Sequence, residues 1–371
     1  MGSIRPYQSA AGKRYEVRYV KPDGSKGGKR GFIRKREAEM WLADLDSARA
    51  HGVYIDPVSA QITVNELGPA WLDSKRASMK PSAYAPLDTA WRLRVQPRWG
   101  RWRIDEVMHT DVRAWVAEMN RTLGATVTIR TFGVLASIMD DAVYDKRIAV
   151  NPARVGKMGL PRKQRGEHLY LTHKEALALA NASGDRKLLV LILCYCGIRW
   201  GEAAGLRVKD VDLARGRLRV SQNAVEVNGE IHIGTPKSHK PRLVPVPSFL
   251  VEALAKRCHG RRPEALIFPA PDGRHMKRTR SSDGSKSWFV TALADAGLPR
   301  MTIHDLRHTA ASLAVQSGAN VKTVQRMLGH TSAAMTLDVY ADLFDSDLDG
   351  VSDAMNAAAL AAGADTLFEV D

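Results

Sequence analysis

Residues Leu188 to Cys196 form an uninterrupted run of apolar side chains, and no other feature of the chain constrains its fold as strongly. Whether it is a helix or a strand, such an element must be covered on every face, so it marks the centre of a core. The run is far shorter than the ~18 residues that indicate a membrane span, and no other apolar stretch reaches that length. Gly197-Ile198-Arg199-Trp200-Gly201-Glu202 follows directly. A guanidinium is thereby brought to the edge of the core, and Arg199 is expected to open a helix inside the domain. Glu202, three residues on, shares its helical face. On an open surface such a pair would contribute only tenths of a kcal/mol, but the preceding apolar run argues against an open surface.

Cys194 and Cys196 lie in the run and Cys258 stands apart. Their spacing makes neither a disulfide framework nor a zinc pattern, so buried free thiols and a reducing, intracellular setting are expected. The start, Met1-Gly2-Ser3-Ile4-Arg5-Pro6, lacks the apolar core of a signal peptide, and Pro6 stands where a myristoylation motif needs Ser or Thr. The 371 residues suffice for two or three domains, and a hydrophobic fraction of 44% argues against wholesale disorder. Lysine plus arginine number 55 against 40 aspartates and glutamates, a net charge of +15. That excess favours a polyanionic partner.

Patterning divides the chain into segments. In residues 1–56, Arg14 to Val20 alternates as a half-buried strand, a turn runs from Pro22-Asp23-Gly24 through Gly27-Gly28, and Lys29 to Arg34 returns as a second strand. Ala38, Trp41, Leu42, Leu45 and Ala48 then fall on one helical face. Lys26, Lys29, Arg30, Arg34, Lys35 and Arg36 crowd around the second strand. Strands can enter a DNA groove, and these cations are candidate DNA contacts; the alternative is a hairpin edge guarded by charge. The glycine-rich turn lacks the spacing of a phosphate-binding P-loop.

Residues 61–152 are expected to be helical throughout. Thr63 and Glu66 form a capping box ahead of Leu67, Trp71 and Leu72. Ala83 to Val95 should form a second helix, Val112 to Met119 lies in a third, and Ile129 to Val143 in a fourth. The tryptophans are expected in the core rather than as base-stacking groups. Residues 153–168 read as a basic linker, in which Arg162, Lys163 and Arg165 are candidate contacts to a DNA backbone. In residues 169–371, Thr172 and Glu175 form another capping box. Arg217 to Val220, Glu230 to Ile233 (after Asn228-Gly229) and Leu243 to Val246 suggest one small antiparallel sheet, and helices dominate from Ser248 onward. The expected fold is multidomain α+β: a small β-sheet plus helix, an all-helical domain, and a mainly helical domain with a small antiparallel sheet.

Beyond Arg199, the third segment carries His304-Asp305-Leu306-Arg307-His308, then Leu328-Gly329-His330, then Tyr340. Two fixed guanidiniums clamp the non-bridging oxygens of a phosphodiester under in-line attack, imidazoles supply protons there, and a tyrosine is a covalent nucleophile. His304 and Arg307 share a helical face. His304 and His308 have the spacing of a zinc helix, but no glutamate follows His304 and no third ligand is evident, so no metal is expected. His308 is assigned a packing or hydrogen-bonding role.

In this order the motifs resemble the catalytic domain of tyrosine recombinases, and the whole chain resembles phage integrases of the lambda type. The resemblance implies an arm-type DNA-binding domain over 1–56, a helical core-binding (SAM-like) domain over 61–152, and a catalytic domain over 169–371 with a C-terminal tail, 346–371. It assigns catalysis to Arg199, His304, Arg307, His330 and Tyr340, with Glu202 as a buried support. Thr235-Pro236-Lys237-Ser238 resembles the hairpin that carries the family's catalytic lysine, so Lys237 is the candidate general acid, with Lys240 its competitor. The implied reaction is integration and excision of phage DNA through a 3′-phosphotyrosyl intermediate and a Holliday junction, with no cofactor. The implied partners are double-stranded DNA at core-type and arm-type attachment sites, three further copies of the chain in a tetramer on DNA, a host DNA-bending factor and a phage excision factor. The implied location is the nucleoid in the cytoplasm of a bacterial host. A tail helix carrying Leu348, Val351 and Met355, capped by Ser346, would dock on a neighbouring protomer or on its own domain. A chromosome-dimer resolvase, a type IB topoisomerase and a DNA-binding regulator with a decayed site are the competing readings.

Overall fold

The computed structural model describes residues 2–21, 24–50, 59–163, 169–236, 240–282, 284–344 and 348–364. The chain divides into two compact units, Met1–Arg165 and Gly166–Asp371. The first unit opens with an antiparallel sheet of three strands, β1 (Ser3–Ser9), β2 (Gly12–Val20) and β3 (Lys26–Phe32), in that order. Only β2 and the end of β3 were evident from alternation. Strand β1 pairs with β2 from Ser3↔Arg18 to Ser9↔Gly12 but buries little of its surface, so its sequence carries no apolar face. Pro6 is tolerated there because β1 is an edge strand. Helix α1 (Lys35–Ala50) covers the sheet, and Val17, Tyr19, Ala38 and Leu45 form the shared core.

A second core in this unit is built by helices. Glu66 accepts hydrogen bonds from the Thr63 backbone N–H (2.8 Å) and hydroxyl (2.6 Å) at the start of α2 (Val64–Ser78), as the capping pattern predicted. Helix α3 (Pro81–Ala90) does not run on regularly to Val95. It widens into a π turn, Trp91–Val95, before the short α4 (Gln96–Trp99). Pro97 has no N–H to offer the residue four before it, and the ladder shifts to a Gln96 N–H to Trp91 C=O bond instead. Trp91, Val95 and Trp99 remain buried through the shift. Helices α5 (His109–Thr122) and α6 (Ala125–Tyr144) complete the core, with Trp71, Trp91, Trp99 and Trp115 inside it. The stretch expected as a linker begins packed against these helices. Ala153 and Met158 belong to the core, and Arg154 pairs with Asp140 at 2.8 Å.

The second unit is organised around the apolar run. It is a helix, α8 (Lys187–Cys196), preceded by α7 (His173–Ala182) with its Thr172–Glu175 capping box. Leu189 to Cys194, together with Cys196, are buried, and α7 and α12 pack on the helix. After α9 (Trp200–Ala204) the chain forms two small sheets rather than one. Strands β4 (Val211–Asp212), β5 (Arg217–Val220) and β8 (Arg242–Pro245) form the first; β6 (Asn223–Val227) and β7 (Glu230–Gly234) form a separate hairpin. Positive φ at Asn228 (52°) and Gly229 (87°) closes that hairpin in two residues. Among the described residues its strands pair only with each other, so β7 does not join β5 and β8 as the sequence suggested. Helices α10 (Ser248–Cys258), α11 (Trp288–Asp295), α12 (Asp305–Gln316), α13 (Val321–Leu328), α14 (Ala333–Phe344) and α15 (Leu348–Ala361) follow. Among the described residues no helix is long and apolar enough to cross a membrane.

Candidate active site

Helix α8 ends at Gly197, whose φ of 61° favours glycine; a Cβ there would also lie 2.8 Å from the Leu328 side chain. Ile198 is buried, and Arg199 caps α9 from an extended conformation. The Arg199 N–H donates to Glu202 Oε2 at 2.8 Å, and Arg199 Nη1 donates to Glu202 Oε1 at 3.1 Å. The Glu202 side chain is fully buried. A second guanidinium grips the same carboxylate: Arg242 Nη1 and Nη2 donate to Oε1 and Oε2 at 2.9 and 2.7 Å. Burial pushes the Glu202 pKa up, but the hydrogen bonds and charge of Arg242, with Arg199 behind them, bring it below the usual carboxylate value.

Arg242 was not evident from the sequence. It stands among basic residues at the start of β8, and no spacing ties it to Glu202. Its Nε also donates to the Met327 carbonyl at 3.0 Å, which links the carboxylate to the end of α13. There Gly329 adopts a φ of 67°, and a Cβ would meet Arg242 Cδ at 2.8 Å. This close approach places His330 beside the arginine cluster. His330 Nδ1 shares a hydrogen bond with Thr336 Oγ1 at 3.0 Å.

Arg307, in the first turn of α12, is 3% exposed. Its Nη1 donates to the Gly197 carbonyl and its Nη2 to the Leu328 carbonyl at 2.6 Å. One guanidinium therefore closes the C-terminal ends of α8 and α13, where helix dipoles favour a cation. Burial, with the Arg199 and Arg242 charges, lowers its pKa to about 9 against the opposing pull of Glu202, so it stays charged at neutral pH. His304 is the residue before α12. Burial and the Arg307 charge lower its pKa to about 4, and the same two causes lower His330 to about 4. Both imidazoles are neutral at pH 7.

Tyr340, on α14, is 1% exposed. Its ring lies parallel to that of His330, 7° apart in plane with centroids at 6.4 Å. Burial raises its pKa to about 12, although the Arg307 and Arg199 charges pull the other way. The hydroxyl meets His308 Nδ1 at 2.7 Å. His308, assigned a packing or hydrogen-bonding role from the sequence, is among the described contacts the side chain that reaches the hydroxyl.

Beside Arg199 and His304 lies an open groove of about 530 Å³, lined also by Asn223, Glu226 and the stretch Arg278 to Ser282. Arg278 and Arg280 escaped the sequence analysis because their loop has no periodicity. The buried Thr279 hydroxyl in this wall has no partner among the described residues.

Lys237 and Arg165 lie outside the described residues; Lys240 is described and exposed. In the first unit the cations around β3 are exposed, but several are engaged. Lys29 sits over the Trp41 ring at 5.0 Å, Arg30 pairs with Glu16 at 3.1 Å, and Lys35 pairs with Glu39 at 3.2 Å. Lys26, Arg34, Arg36, Arg162 and Lys163 are exposed.

A mainly helical unit thus holds arginines, two neutral imidazoles and a buried tyrosine, the groups that phosphoryl transfer to a tyrosine requires. Residues 169–347 match the sequence model of the Phage integrase family. The integrase of Mycobacterium phage D29 is 30% identical over 355 residues, which cover 91% of each chain. Among solved structures, a Tn1549 transposon integrase in complex with a circular intermediate DNA superposes with a TM-score of 0.66 at 22% identity, covering 78% of this chain and 99% of that one. A lambda integrase tetramer bound to a Holliday junction gives 0.57 at 16%, covering 88% and 96%. The chain belongs to the phage integrase family and is a site-specific tyrosine recombinase.

Proposed function

We propose that Tyr340 is the nucleophile of this recombinase, and that Arg199 and Arg307 clamp the scissile phosphate with His304 and His330 as neutral hydrogen-bond partners. The observation that carries this reading is a buried Tyr340 whose ring lies parallel to that of His330 and on whose hydroxyl the Arg307 and Arg199 charges act against burial. Attack on one strand forms a 3′-phosphotyrosyl bond and releases a 5′ hydroxyl. The covalent bond retains the energy of the phosphodiester, so rejoining requires no ATP. Attack by the partner strand's 5′ hydroxyl exchanges strands through a Holliday junction. Lys237 is the candidate donor of a proton to the leaving 5′ oxygen. Glu202 and Arg242 support the clamp from behind.

The substrate is double-stranded phage and host DNA, joined and separated at attachment sites in the bacterial nucleoid. Four copies assemble on it, as in the lambda integrase complex with a Holliday junction. Residues 1–56 bind arm-type sites through the exposed cations around β3. Residues 61–152 and 169–371 hold the core-type site, with the basic stretch 153–168 between them. Arg278 and Arg280 contact phosphates next to the scissile one, a reading supported by their place in the same groove as Arg199. Helix α15 exposes Met355 (68%) and Leu360 (49%), an apolar face suited to docking on a neighbouring protomer. A host bending factor and an excision factor complete the assembly. The test uses nicked duplexes that carry the attachment core. Wild type forms a denaturation-resistant adduct without metal or ATP, whereas Tyr340→Phe binds the same DNA and forms none. An adduct from Tyr340→Phe would remove Tyr340 from the mechanism.

A further inference from the structure

The phosphate clamp makes no use of His308, yet among the described contacts His308 is the side chain that touches the attacking oxygen. Its Nδ1 lies 2.7 Å from Tyr340 Oη, and both residues are buried. That is the length of a well-formed hydrogen bond to a hydroxyl. The imidazole is held from two sides. The His304 ring meets it edge-on, with centroids 5.1 Å apart and planes at 89°, and the Tyr340 ring leans against it at 5.6 Å and 56°. Helix α12 carries His308 one residue after Arg307, and Arg307 ties that helix to the ends of α8 and α13. The position of Nδ1 is thus set by the same helix that sets one arm of the clamp.

A phenol that attacks phosphorus must lose its proton. Burial makes this harder for Tyr340, whose pKa stands at about 12, so the free phenolate would be present in roughly one molecule in 10⁵ at pH 7. Attack at a useful rate therefore requires an acceptor already in contact with the hydroxyl. His330 has its Nδ1 engaged with Thr336, and His304 packs against His308.

We propose that His308 is the proton acceptor for Tyr340, a role that rests on Tyr340 being the nucleophile. As Tyr340 Oη bonds to phosphorus, its proton passes to His308 Nδ1. The bond from phosphorus to the 5′ oxygen breaks, and that oxygen takes a proton from an acid on the opposite side of the phosphate, for which Lys237 is the candidate. The imidazolium charge is offset by the negative charge that develops on the phosphoryl oxygens. In the rejoining step the incoming 5′ hydroxyl attacks phosphorus and passes its proton back to the group that protonated the leaving oxygen, the bond to Oη breaks, and the imidazolium returns its proton to the tyrosine. His304 is then left to bond a non-bridging oxygen as a neutral imidazole.

The test compares two variants and one amino-acid replacement in the full-length protein. In His308→Asn the amide oxygen comes close to the place of Nδ1, so it accepts the phenol's hydrogen bond but cannot take its proton. DNA affinity should stay within about twofold, while the single-turnover rate of adduct formation on a nicked core-site duplex should fall by about 10² or more, the usual contribution of a general base. Placing 3,5-difluorotyrosine, a more acidic phenol, at position 340 of the Asn variant should restore at least about tenfold of that loss. A His308→Asn rate within about threefold of wild type overturns the proposal. So does a slow variant that the acidic phenol does not rescue, because His308 would then only position the ring. If His308→Asn loses its melting transition or its DNA binding, His308→Gln is read by the same criteria. An adduct from Tyr340→Phe in parallel would identify a failure of the nucleophile assignment itself rather than of the role of His308.

Discussion

Glu202→Gln tests how far the site depends on one buried carboxylate. Glu202 accepts one backbone and three guanidinium hydrogen bonds, and its side chain has no exposure. Glutamine keeps the shape but removes the charge, and it turns an amide nitrogen toward guanidinium N–H groups. At least one charge-assisted bond is lost, at ~1.5–3 kcal/mol, and two arginines lose their counter-charge in a buried setting. Breaking a buried ion pair from one side costs ~3–5 kcal/mol, so a loss of about 3–5 kcal/mol is expected at pH 7. The assay is urea unfolding of the full chain, with the transition of the unit Gly166–Asp371 followed by hydrogen exchange at α8. The pH dependence gives a second check. The pKa of Glu202 is depressed in the folded state, so its contribution is complete above the unfolded value near ~4.3 and is lost as pH falls through the lower folded value. Wild type and Glu202→Gln should therefore differ fully at pH 7 and converge only below about pH 4. A difference under about 1 kcal/mol at pH 7 would refute the view that this carboxylate organises both arginines.

Four further outcomes are expected. Gly329→Ala places a Cβ against Arg242 at a φ of 67°, and should lower stability by ~2 kcal/mol or more in thermal melts; Gly318→Ala, at a φ of 80° with open space around it, should cost only ~1 kcal/mol. The pKa values of His304 and His330 stand at about 4, so their neutral forms persist above that value; in NMR titrations of the two imidazoles both should remain neutral at pH 5 and take up a proton near pH 4. Arg280→Ala should weaken binding to core-site and unrelated duplexes alike and reduce the salt slope of log K by about 1. Burial holds the Cys194 and Cys196 thiols far above their ordinary pKa, so both should resist iodoacetamide until unfolding, as mass spectrometry of the digested protein would show.

The sequence revealed most where one residue type and one spacing left little freedom. The run 188–196 required burial, the Thr-Glu pairs marked helix starts at 63 and 172, and the order of Arg199, His304, Arg307, His330 and Tyr340 pointed to phosphoryl chemistry. What escaped depends on tertiary placement. Strand β1 shows no alternation because neither face is deeply buried. The separation of β6 and β7 from β5 and β8 follows from pairing that local propensity does not encode. Arg242 and His308 look ordinary in sequence, and only the approach of β8 to α9 and of α14 to α12 gives each its partner.

The place of Arg307 has a consequence for how such a protein decays. Its guanidinium serves the phosphate in our reading, and it also closes the ends of two helices from within the core. A lineage that abandons strand exchange can lose the Tyr340 hydroxyl at the cost of one hydrogen bond, that to His308, because phenylalanine fills the same apolar volume. It cannot shed the arginine without leaving two buried carbonyls unpaired, at ~1–3 kcal/mol each. Inactive descendants should therefore keep the cation long after the nucleophile has gone, and an arginine at this position is poor testimony that a relative still cuts DNA.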